Sequence, residues 1–110
     1  MFETKIEING KVIPIRFGAY VVERLEDEGI YLSELDEHIK KPVGLIKRLL
    51  FHGAVNAVKG KDESQVSIDD IYDWMDEVGT MSKQSTGFLE MFTESLTKGV
   101  PRAKEVAKKK

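Results

Sequence analysis

Metal and acid–base chemistry would fall first to His38 and His52, the two histidines of the chain. They lie fourteen positions apart, and neither has a second histidine one helical turn away at the i, i+4 spacing that a zinc-binding helix uses. A metal centre needs several converging ligands, so the expectation is an exposed His38, a partly packed His52 and no metal. The absence of cysteine removes thiolate ligands, disulfides and thiol nucleophiles together. Asp69, Asp73, Asp76 and Glu77 recur at i, i+4, i+7 and i+8 and fall on one side of a helix. That spacing suits a cation or a docking surface, but a solvated face opposite an apolar stripe is the simpler reading. The stretch DESQVSIDDIYD lacks the glycine and alternating oxygen ligands of a calcium-binding EF-hand loop. No G-x-S-x-G elbow, no G-x-x-x-x-G-K-[ST] phosphate loop and no strand followed by G-x-G-x-x-G occurs. The chain is read as non-enzymatic and without cofactors.

Side chains suited to binding are present instead. Trp74 sits at the edge of its helix's apolar arc, and Met81, Phe88, Met91 and Phe92 follow in a segment rich in adaptable apolar groups. Trp, Phe and Met are enriched at interfaces. Taken singly, each of these five is more simply a core residue. Taken together they are the candidate rim of a groove for an apolar partner helix.

The elements that must carry these residues follow from period and punctuation. Asn9-Gly10 between FETKIEI and KVIPIR is a hairpin signal, because both residues tolerate the positive φ of a type I′ turn; a β-hairpin is expected over about residues 2–16. Pro14 lacks the N–H of a central strand, which leaves the second strand an open edge available to a partner. From Phe17 the period becomes helical: Phe17, Tyr20, Val21 and Leu25 form a stripe, and Gly29 supplies the stop. Ser33, followed by Glu34, Asp36 and Glu37, reads as the N-cap and acidic first turn of a short helix ending near Lys40. Pro42 suits the first turn of VGLIKRLLFHGAVNAVKG, whose apolar residues, Val43 and Phe51 among them, wrap most of the way round and mark it as the buried central helix. Gly53 and its neighbouring alanines would admit another helix closely. Ser67 with Asp70 starts a further amphipathic helix that ends at Gly79, and a last one is expected from about Ser82 to Lys98, with Phe88, Leu89, Phe92 and Leu96 inward and Gly99-Val100-Pro101 as its stop.

The fold class is therefore α+β, predominantly α: an N-terminal hairpin and then a bundle of about five helices. At 110 residues the chain suits one core, expected over residues 1–99, and a domain of this size buries roughly 65% of its unfolded surface. Charge is unevenly placed. From Lys98 onward six Lys or Arg face one Glu, whereas the preceding residues carry eleven against eighteen acidic ones. Residues 100–110 read as a flexible basic tail on an acidic body. Such a body argues against duplex nucleic acid as the main partner, since phosphate binding needs a basic face. The N-terminus lacks the plan of a signal peptide and no apolar run approaches the roughly 20 residues of a membrane span, so a cytoplasmic location is expected.

Three segments then carry a resemblance: F-G-A-Y at Phe17 to Tyr20, L-x-x-x-G-A-V-N-A at Leu49 and Gly53 to Ala57, and I-D-D-I-Y-D-W-M-D-E at Ile68 to Glu77. In this order, after a strand-rich start, they resemble the tail assembly chaperones of long-tailed bacteriophages and prophages over about residues 1–100. The resemblance implies a protein that coats the long apolar tape measure protein in the host cytoplasm and keeps it soluble until tail tube subunits polymerise around it. The tape measure protein is then the expected partner, with the tail tube protein and self-association as further contacts. Members of that group are often also made in a longer frameshifted form, and the lysine run Lys108 to Lys110 is compatible with a slippery site. The alternatives are a tail completion or head–tail connector component of the virion and, behind it, a small nucleic-acid-binding regulator using the basic tail and the Lys47-Arg48 pair.

Overall fold

The computed structural model describes residues 3–97. Strands β1 (Glu3–Ile8) and β2 (Lys11–Arg16) pair antiparallel around Asn9 and Gly10, whose φ values of 52° and 78° are those of a type I′ turn. A two-residue loop sets the parity of the ladder. Ile8 and Lys11, Ile6 and Ile13, and Thr4 and Ile15 are the hydrogen-bonded pairs, and Lys5 and Pro14 lie opposite each other at a non-bonded position. Pro14 thus stands where its missing N–H would have pointed out of the sheet, so the ladder loses nothing. Ile6, Ile8 and Ile15 share the buried face, each worth roughly 1.5–3 kcal/mol of burial. Val12, on the opposite face, is exposed.

Helix α1 (Ala19–Asp27) turns Val21 and Leu25 inward. It ends in a Schellman motif: Gly29 has φ 83°, its N–H bonds Glu26 O at 3.0 Å, and the N–H of Ile30 bonds Leu25 O at 2.9 Å. Leu25 and Ile30 are both buried, the apolar contact that accompanies this motif. The next helix does not start as the sequence suggested. A 3₁₀ turn at Leu32–Glu34 runs directly into α2 (Leu35–Ile39), and no side chain caps either, so Ser33 lies inside the turn instead of ahead of the helix.

Helix α3 (Pro42–Ala57) begins on its proline and packs against β2, α1, α2, α4 and α5, as the central helix should. Its apolar surround is less complete than the pattern implied, since Val43 in the first turn is exposed and Phe51 half-buried. Gly53 is approached not by a helix but by the hairpin and the residue after it. A Cβ at Gly53 would lie 2.7 Å from Ile15 Cγ2 and 3.1 Å from Phe17 Cε1. Asn56, one turn on, donates from Nδ2 to Arg16 O at 2.8 Å, so β2 is pinned at its outgoing end.

Helix α4 (Ile68–Val78) is capped by Ser67, whose hydroxyl accepts from Asp70 N at 3.4 Å. The Asp70 carboxylate does not reach back in a reciprocal box; it takes Lys11 Nζ of the hairpin at 3.0 Å. Helix α5 (Lys83–Thr97) starts after Ser82, whose Oγ accepts from Ser85 N at 3.2 Å. One contiguous core joins the hairpin isoleucines, Phe17, α1, α3, α4 and the inner face of α5. Phe2, the stop at residues 99–101, the basic tail and its terminal lysines lie outside the described residues.

Candidate partner-binding surface

The five residues expected to rim a groove separate in the fold. Trp74, Phe88 and Phe92 are 6%, 8% and 1% exposed and belong to the core. Their rings pack edge to face through Phe17: Trp74 to Phe88 at 5.6 Å, Phe88 to Phe17 at 6.4 Å and Phe17 to Phe92 at 5.8 Å between centroids. Met91 is half-buried against the same core, and Met81 alone is well exposed, on the turn between α4 and α5. Three of the five thus form an aromatic core, with Met91 at its margin and Met81 outside it. The reason is that β1 and α5 close over the edge of the α4 arc where Trp74 lies. Only the margins of Trp74 and Phe88 reach a surface groove of about 420 Å³, shared with Ile6, Lys5, Glu7 and Glu77.

Of the ionisable candidates, His38 is half-buried on α2. His52 is buried, its Nε2 2.9 Å from Glu28 Oε2, and Arg48 Nε donates to the other oxygen of that carboxylate at 3.0 Å. Glu28 is thereby a clasp between the end of α1 and the middle of α3. The His52 Nδ1 has no hydrogen-bond partner among the described residues, so the Glu28 carboxylate is the contact that orients the ring. Asp69, Asp73, Asp76 and Glu77 are all exposed on α4. Among the described residues no three of His, Asp and Glu come together as a metal-ligand set, and no helix is long and apolar enough to cross a membrane.

The outer edge of β2 borders a second groove of about 420 Å³, walled on the other side by the loop after α3 and floored by Ile13, Ala54, Val58 and Val66. That loop is held by Asp62, whose carboxylate accepts from the backbone and hydroxyl of Ser64 at 3.0 and 2.7 Å. These bonds, the hydroxyl of Ser64 first, hold the Asp62 carboxyl below its ordinary value of 3.8. As an edge for strand addition β2 is poor. Pro14 removes one outward donor, and Asn56 already occupies the carbonyl of Arg16.

The surface feature that sequence reasoning missed lies elsewhere. Four of the seven large apolar side chains left exposed among the described residues fall within thirteen positions: Tyr31, Leu32, Ile39 and Val43, between 39% and 48% exposed. The signal available was the short length of α2. A five-residue helix makes barely more than one turn and cannot bury both its own apolar residues and those of its flanks. Comparison with protein-family models, with curated proteins and with solved structures returns no match.

Proposed function

We propose that the chain is a non-catalytic binding protein that shields an apolar helical partner, and that it acts as a tail assembly chaperone for a phage or prophage tape measure protein. The observation that carries the binding reading is the concentration of exposed apolar side chains on residues 31–43 of an otherwise charge-rich surface. The four lie close together in the chain, and exposed apolar side chains that form a contiguous patch mark contact sites. The identity of the partner rests on the resemblance of Phe17 to Tyr20, Leu49 to Ala57 and Ile68 to Glu77 to that chaperone group. An acidic exterior would keep many copies dispersed along one apolar filament until tube subunits replace them in the host cytoplasm.

Co-expression tests it. The tape measure protein encoded beside this chain should move from the insoluble to the soluble fraction when the chain is present, and the two should co-purify. Mass spectrometry of mature particles should find the chain absent or scarce. A stoichiometric amount in the particle would instead make it a tail completion or connector component.

A further inference from the structure

We infer that the groove between α2 and α5 receives an amphipathic helix whose apolar stripe is flanked by lysine or arginine. Ile39 of α2 and Leu89 of α5 line a common open groove of about 500 Å³ together with Thr86, Glu90, Thr93 and Glu94. Ile39 is 43% exposed, although it belongs to a type of side chain usually buried. Residues 86, 89, 90, 93 and 94 lie at i, i+3, i+4, i+7 and i+8, so the groove follows α5 for about two turns, on the order of 12 Å.

The chemistry of the lining narrows the occupant. Thr86 and Thr93 commit their hydroxyls to the carbonyls of Ser82 and Leu89, at 3.0 and 2.8 Å, so they do not serve as hydrogen-bond donors to a ligand. Both walls are helices, and neither offers a ladder to an extended strand. A helix, which also satisfies its own backbone, suits such walls. The charges beside the apolar floor are carboxylates. Glu90 and Glu94 line the α5 side, and no Lys or Arg lines the groove among the described residues. Apolar contact supplies the affinity, and the carboxylates select the sign of the flanking charge and speed encounter. This deepens the binding reading above and rests on it for the partner's being an apolar helix.

Two synthetic helical peptides of about 18 residues serve as probes, with the same leucine stripe at i, i+3, i+4 and i+7 but flanked by lysine in one and glutamate in the other. The lysine peptide should bind, with amide chemical-shift changes clustered at Ile39, Leu89 and Thr93, and the glutamate peptide should bind roughly tenfold more weakly or not at all. Glu90 is exposed, so the variant Glu90→Lys should fold as the parent does and weaken or abolish the preference for the lysine peptide. Equal affinity for the two peptides, shifts mapping elsewhere, or groove resonances that move with protein concentration alone would overturn the inference; the last would assign the groove to a second copy of the chain. The outcome is separable from that of co-expression. A tape measure protein that stays insoluble removes the named partner and leaves the peptide result standing, whereas failed peptide binding beside successful co-expression removes only the groove.

Discussion

Glu28 and His52, 24 residues apart in the chain, meet at 2.9 Å between Oε2 and Nε2, with the imidazole buried and the carboxylate also holding Arg48. The contact joins the end of α1 to α3. Glu28→Ala leaves the imidazole N–H without its acceptor and should destabilise the fold by about 1–2 kcal/mol. Glu28→Gln keeps one carbonyl acceptor and should lose less. Urea midpoints of the two variants check the order.

Gly53→Ala isolates the approach of the hairpin to α3. In an exposed helix interior the change stabilises by about 1 kcal/mol. Here the added methyl would meet Ile15 Cγ2 at 2.7 Å, on a β-branched side chain with little freedom to turn away. The expected net effect is destabilisation by about 1–3 kcal/mol, read as a lower thermal midpoint.

Trp74→Ala and Phe92→Ala open cavities in the aromatic core and should each remove about 3–5 kcal/mol, a large fraction of the stability of a small domain. Met81→Ala, on the exposed turn, should change stability by no more than about 0.5 kcal/mol. Denaturation curves on the three variants test whether the candidate side chains divide as their burial does. A Trp74→Ala protein as stable as the parent would return Trp74 to the surface.

The Asp62 carboxyl, held below 3.8 by its bonds to Ser64 and Gln65, should titrate below that value in an NMR pH series. Ser64→Ala should move its midpoint upward. Because the folded value is the lower one, the contribution of this loop to stability is complete above the unfolded value. It fades as pH falls through the folded value, so Asp62→Asn should flatten stability only in that acid range.

Much of the backbone was legible in the sequence because the signals that set it are local. Asn9-Gly10 both dictates and displays its turn, Gly29 can take the positive φ that closes a Schellman motif, Pro42 opens a helix that needs no N–H there, and Ser67 caps with an oxygen three residues from its donor. Ser33 misled because the same residue types serve a 3₁₀ turn as readily as a cap.

What the sequence determined by itself was therefore the order and kind of the elements, the acidic body and which face of each helix is apolar. Which neighbour covers each face was decided only in three dimensions. Periodicity marks Trp74, Phe88 and Val43 alike as apolar positions, yet the first two bury each other where α4 meets α5 beside Phe17, while α2 is too short to cover the third. Gly53 announces a close approach without naming the strand that makes it, and Glu28 and His52 lie too far apart in the chain for any spacing rule to pair them. Local signals act through bonds a few residues long, whereas burial depends on the surface that chain topology brings opposite.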